Sequence, residues 1–264
     1  MRGLLRWWTL MSSRNSHAAK AARRAEREAR MPAPRRPVPV DKDAVAEAVH
    51  QAVCLVSRDQ GAGHCDAYAF GGAAVLSRLT GCQWWPQAGE ARYGTGRDRD
   101  AAEGEICFAY QPSGQGLAIT AGGTMQEGGL ANGEVHVWAA RAEDGMVAEV
   151  ADFGARHVPA LSSACGIGWA REPLDCVWGT RAELAAQRIW HIAEDAATKA
   201  IWQVYGASLD AYKDITYLAL ARLGVMTDRD ARQKLNNPVL LDVMRDGLRV
   251  TETFPGGAFI AVRS

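Results

Sequence analysis

Apolar residues recur at helical spacing through Val45, Val49, Ala52 or Val53, and Val56. With Asp41 or Asp43 as the cap, they predict a helix ending near Arg58. A second stripe, Tyr68, Gly72, Val75 or Leu76, and Leu79, predicts a helix that opens near Cys65 and stops at Thr80-Gly81. An extended region then begins at Cys82-Gln83-Trp84-Trp85-Pro86, with short strands expected at Glu105–Tyr110 and Leu117–Thr120. Glu134–Arg141 alternates, Glu143-Asp144-Gly145 has hairpin-turn chemistry, and Met146–Asp152 returns antiparallel. This places His136 and Asp152 at the open end of the hairpin, as expected cross-strand neighbours.

From Arg181 the pattern turns helical. Ile189, Ile192 or Ala193, Ala196 or Ala197, Ala200 or Ile201, and Val204 predict one long amphipathic helix ending at Gly206. Leu209–Leu223, Thr227 or Asp228 to Leu235, and Val239–Arg245 predict three more, closed by Gly224, Asn236-Asn237-Pro238 and Gly247. Leu248–Phe254 and Ala258–Arg263 read as a terminal hairpin around Pro255-Gly256-Gly257. The order of elements predicts an α+β fold.

Composition narrows this picture. With 264 residues, 48% of them hydrophobic and 23% charged, the chain suits one soluble domain, or a domain with an appendage. The net charge of zero is unevenly spread. Residues 1–40 carry ten Lys and Arg against Glu26 and Glu28, so residues 41–264 are acidic by eight. The expected division is a basic, disordered arm over 1–40, a folded core over 41–180, and a helical extension over 181–264. The arm suits contact with an acidic surface or nucleic acid, or targeting; the plainer reading is a solvated tail, or codons upstream of a start at Met11 or Met31.

No apolar run is long enough to cross a membrane, and Leu4–Leu10 is too short and too charged for a signal peptide, so a cytoplasmic location is expected. The six cysteines form no C-x-x-C pair, which predicts reduced thiols and no structural zinc. Neither a P-loop nor a dinucleotide fingerprint can be written anywhere in the chain. The seven glycines between Ser113 and Gly133 therefore suggest a mobile loop or flap rather than a phosphate cradle. No metal and no cofactor are expected.

The candidate chemistry centres on Cys65. A cysteine at a helix start meets unpaired N–H groups and a helix dipole that favour thiolate. His136 and Asp152, 16 positions apart on consecutive strands, supply a candidate base and a carboxylate to orient it. His64 is a rival base by adjacency, but neighbours at a helix start project apart, so it reads as a gate or substrate contact. Trp84, Trp85 and Trp138 are candidates for an aromatic cleft, with core burial the commoner outcome for tryptophan. His50, His157 and His191 have no matching partner and read as surface or core residues.

Gly-His-Cys-Asp-Ala-Tyr-Ala, then a His-Val-Trp strand, then a strand ending Ala-Asp-Phe-Gly, resembles the transglutaminase-like branch of the papain-fold superfamily. The Asp152-Phe153-Gly154 ending is also similar to arylamine N-acetyltransferases. The resemblance covers about residues 61–156. It implies a papain/transglutaminase-like core, N-terminal helices packed on an antiparallel sheet, with Cys65 as nucleophile, His136 as base and Asp152 as orienter. Gln60 is placed like the oxyanion-hole glutamine that precedes the cysteine in papain-like enzymes. The expected function is a thiol-dependent hydrolase or acyltransferase acting on a peptide, protein or small acyl substrate.

The alternative is a nucleic-acid- or protein-binding module with an inactive core, using the basic arm and a winged-helix-like segment over 208–264. Charge opposes it. That segment has eight Lys and Arg against seven Asp and Glu, and the helix that would read bases, Pro238–Asp246, has only Arg245.

Overall fold

In the computed structural model the chain divides into Met1–Pro37 and Val38–Ser264. The structure describes residues 40–96, 104–110, 117–121, 124–126, 136–164, 166, 168–206, 209–246, 249–253 and 259–262. The basic arm, Cys165, the 255–257 turn and much of the glycine-rich stretch fall outside these residues. The fold is α+β, with eight helices among the described residues and an antiparallel sheet.

Helix α1 spans Lys42–Ser57, and Asp41 caps it by accepting from the N–H groups of Asp43 and Ala44, each at 3.1 Å. Arg58, with φ of 63°, takes the left-handed turn that ends it. Helix α2, Cys65–Thr80, ends at Gly81 with φ of 68°, where glycine avoids the Cβ clash. Both helices bury most of their predicted stripes, Val56 and Leu79 being half-buried at the C-terminal ends, and α2 is also buried at Ala67, Ala69, Phe70 and Ala73.

Strand β1, Trp84–Gly94, organises the sheet. Its first half pairs with β5, His136–Glu143, and its second half with β2, Glu105–Tyr110. Beyond β2 lie β3, Leu117–Ala121, and β4, Thr124–Gln126. Beyond β5 come β6, Met146–Asp152, and β7, Val177–Gly179, with helix α3, Val158–Ala164, between them in sequence. Asp144 and Gly145 both have positive φ, 51° and 78°, as a tight β5–β6 hairpin turn requires. Ala139 faces Ala151, which puts Asp152 level with Trp138 and makes His136 its diagonal neighbour rather than its direct partner.

The expected long helix from Arg181 to Gly206 is three elements: α4, Arg181–Ala186; β8, Ile189–Ala193; and α5, Asp195–Tyr205. Thr180 and Glu183 close a capping box on α4, and Arg188, at φ of 59°, turns the chain out of it. Ile189-Trp190-His191-Ile192 then pairs antiparallel with β1, Ala91 facing His191. A ladder along β1 outweighs weak helical preference in a run of β-branched and aromatic residues.

Two cores follow from the period of two along the strands. Trp84, Ala88, Val137, Ala139 and Ala151 pack beneath α1, α2 and α6, Leu209–Arg222. Tyr93, Phe108, Trp138, Ala140, Val150 and Ile189 form the second core. Helices α7, Asp228–Lys234, and α8, Val239–Arg245, follow, and Arg245, the cation of the supposed reading helix, is paired with Asp228. Strands β9, Arg249–Thr253, and β10, Phe259–Val262, pair as a separate two-stranded sheet. Among the described residues no helix is long and apolar enough to cross a membrane.

Gly71 and Gly72 let α2 approach both its neighbours. A Cβ on Gly71 would press Ile215 of α6, and one on Gly72 would overlap the Phe153 ring just after β6. Alanine gains about 1 kcal/mol over glycine in an open helix. Phe153 is buried and packed edge-on to Trp178, so it has little room to yield. Overpacking of this kind costs about 1–3 kcal/mol. Gly72→Ala is therefore expected to lower the unfolding free energy by up to about 2 kcal/mol net, read from the urea midpoint at constant m-value.

Candidate functional site

Four strands bring one polar cluster into the second core. His136 opens β5, Asp152 ends β6 and His191 sits in β8, while Tyr93 projects from β1 between them. The Nε2 atoms of His136 and His191 lie 2.6 and 3.0 Å from Asp152 Oδ2. The Tyr93 hydroxyl donates to the same oxygen and stands 3.0 Å from His136 Nε2 and 3.2 Å from His191 Nε2. Phe108 stacks on His136, with centroids 5.3 Å apart, and Trp138 meets His191 edge-on at 4.9 Å. All four polar residues are buried.

Burial sets the electrostatics, and the partners then divide it. Burial alone would raise the Asp152 carboxyl, but the His136 charge and hydrogen bonds from both histidines hold it well below the usual carboxylate range. Burial, followed by the Asp152 charge and hydrogen bond, drives the Tyr93 phenol well above its ordinary value, so it remains a donor. Burial lowers His191 despite its bond to Asp152, which favours a neutral ring. A neutral ring whose Nε2–H donates to Asp152 leaves Nδ1 as an acceptor, and that buried Nδ1 has no partner among the described residues.

The donor set of His136, Asp152 and His191, all within 4.8 Å, also invites a metal reading. Ligands sharing a zinc ion at about 2.0–2.1 Å would stand roughly 3.3 Å apart, wider than the 2.6 and 3.0 Å found here. Metallating His191 Nε2 would also move its proton to Nδ1, where no acceptor among the described residues takes it, whereas metal-bound histidines normally donate that proton to a second group. The cluster fits a hydrogen-bonded carboxylate better than a metal centre.

Cys65 lies outside this cluster, half-buried at the first residue of α2. Gly154 stands between the two. A Cβ there would sit 3.4 Å from Asp152 Oδ1 and 3.9 Å from the Cα of Cys65. Among the described residues Oδ1 is the carboxylate oxygen without a hydrogen-bond partner, so the open side of Asp152 faces Gly154, across from the start of α2.

The other candidates are dispersed. His64 pairs with Asp59 at 2.7 Å, which ties it to the turn before α2. Gln60 is exposed on the same turn. Trp84 is core, donating through Nε1 to Thr80 Oγ1 at 3.2 Å and meeting Trp178 edge-on. Trp85 is half-buried, and Trp138 is buried beside the two cluster histidines. These tryptophans do not form one cleft.

Tyr93 and His191 are the site residues that sequence reasoning missed. His191 was hidden by a helical reading of its segment, although Ile189-Trp190-His191-Ile192 carries strand-type residues. Tyr93 sits where nothing local marks it.

No family model matches the chain, and no curated protein matches it. A solved structure, titled as a genomics target without an activity, shares 17% identity over 66% of this chain and 78% of its own, with a TM-score of 0.42.

Proposed function

We propose that the protein is a thiol-dependent hydrolase or acyltransferase on a papain/transglutaminase-like core, with Cys65 as nucleophile, His136 as base and Asp152 as orienter. The observation that carries this reading is the approach at Gly154 of the Cys65 helix start to Asp152, which is itself bonded to His136. His136 spends Nε2 on Asp152, which reserves Nδ1 for proton exchange with a thiol. Tyr93 and His191 keep Asp152 ionised and fixed, so the imidazolium formed during reaction has a counter-charge.

In the proposed reaction the Cys65 thiolate attacks the carbonyl carbon of an amide, ester or thioester. A C–S bond forms, and the bond to the leaving group breaks as His136 gives that group its proton. Water or an amine, deprotonated by His136, then attacks the acyl-enzyme, and the thiolate leaves. Backbone N–H groups at the start of α2 suit the developing oxyanion.

The test is competition among the thiols. Dilute iodoacetamide at pH 6.5 is expected to alkylate Cys65 at least about tenfold faster than the other cysteines, read by peptide mass spectrometry. p-Nitrophenyl acetate should leave one acetyl group on Cys65, and o-phenanthroline should not slow its hydrolysis. Uniform alkylation would remove the thiol reading, and loss of hydrolysis with the chelator would favour the metal one.

A further inference from the structure

A second polar cluster lies beneath the Cys65 turn, and the reaction above does not use it. Tyr68, one helical turn after Cys65 on α2, is only 1% exposed. Its hydroxyl is 2.6 Å from Nδ1 of His50 on α1 and 3.2 Å from Nε2 of His157, on the single turn Phe153–His157 that follows Asp152. Gly61, at φ of 79°, crosses so close to this hydroxyl that a Cβ would overlap it. The Gly61 N–H and the Ser57 hydroxyl donate to Asp59 Oδ1 at 2.6 and 2.7 Å, and Asp59 Oδ2 pairs with His64, the residue before Cys65. One phenol oxygen therefore joins α1, the loop entering α2, α2 itself and the turn leaving Asp152.

The protonation states make this a directed chain. Burial, then the Arg156 and His157 charges, lower His50 to about 4. Burial and Arg156 also lower His157, so both rings are neutral near pH 7. Burial pushes the Tyr68 phenol up, and it keeps its proton. The phenol has one proton to give, so between two neutral rings it donates to one and accepts from the other.

We propose that Tyr68 is a positioning residue for Cys65: through His157 and the Gly61 loop its hydroxyl locks the N-terminal turn of α2 against the turn carrying Asp152. This inference rests on the thiol reading of the site. Without the hydroxyl, the helix-start N–H groups and the His136–Asp152 pair no longer hold one alignment relative to the sulfur, and the thiolate loses stabilisation. A residue that only packs would change stability and leave the thiol's ionisation as it was.

The experiment is the pH profile of Cys65 alkylation by iodoacetamide in the full chain, with the urea midpoint measured in parallel. Tyr68→Phe should move the alkylation midpoint up by about one pH unit and slow alkylation at pH 6.5 about tenfold. His157→Leu should do the same, and serves if the Phe variant does not fold. His157→Gln, which keeps a donor to Tyr68, should restore most of the rate. If wild-type Cys65 outpaces the other thiols while Tyr68→Phe and His157→Leu keep its rate and midpoint, Tyr68 is a core residue and the inference is overturned alone. If wild-type Cys65 has no advantage, the thiol reading falls and takes the inference with it.

Discussion

Asp152→Ala is expected to cost about 3–5 kcal/mol of unfolding free energy, the largest stability effect at the site. One carboxylate oxygen accepts from His136, His191 and Tyr93. Removing it strands three polar side chains in a core closed by Phe108 and Trp138. Asp152→Asn keeps the shape and one acceptor and should cost less, about 1–2 kcal/mol. Urea titrations of both variants check the order, and a cost below about 1 kcal/mol for alanine would mean that the cluster is not a network.

The same residue sets an acid limb. Its folded carboxyl is held below its ordinary value of 3.8, so between the two pKa values the unfolded chain binds more protons. The stabilisation is therefore complete above the unfolded value and is lost as pH falls below it. Asp152→Ala should flatten that part of the stability profile.

His136→Ala is expected to have the largest effect on chemistry. Loss of a general base lowers rates by about 10²–10⁴-fold, and acetylation of Cys65 by p-nitrophenyl acetate should fall by that factor while the chain remains folded. His191→Asn acts only through Asp152 and should cost about tenfold or less. Residues that work as a unit are not additive, so His136→Ala combined with Asp152→Asn should be no slower than His136→Ala alone. A double variant slower by the product of the two single effects would separate Asp152 from the His136 function.

Much of this architecture was legible along the chain because it depends on neighbours. Asp41 caps α1 from the position its side chain suggested, and Gly81 ends α2 where a left-handed residue was needed. Asp144-Gly145 turns the hairpin as its chemistry requires, which brings His136 and Asp152 to one end of β5 and β6. That pairing spans only 16 positions, so a single turn is enough to make it.

The segment after Arg181 shows where local reasoning stopped. Ile189, Ile192 and Ala193 fit a helical stripe, yet the chain leaves α4 at Arg188 and joins β1. A strand's stability comes from its partner, and β1 is remote in sequence. Tyr93 and His191, 98 positions apart, meet only because that ladder forms. In the same way Tyr68 gains its role from His50, Gly61 and His157, which reach it from three different elements.

The Gly81 stop, the hairpin turn, the α+β class and the candidates Cys65, His136 and Asp152 could be read along the chain, since each rests on short-range backbone preference or on residue chemistry. Folding in three dimensions sets which buried groups converge on Asp152 and brings Tyr68 against His50 and His157. Those outcomes depend on strand pairing and helix packing, where hydrogen bonds and excluded volume act between residues that no local pattern relates.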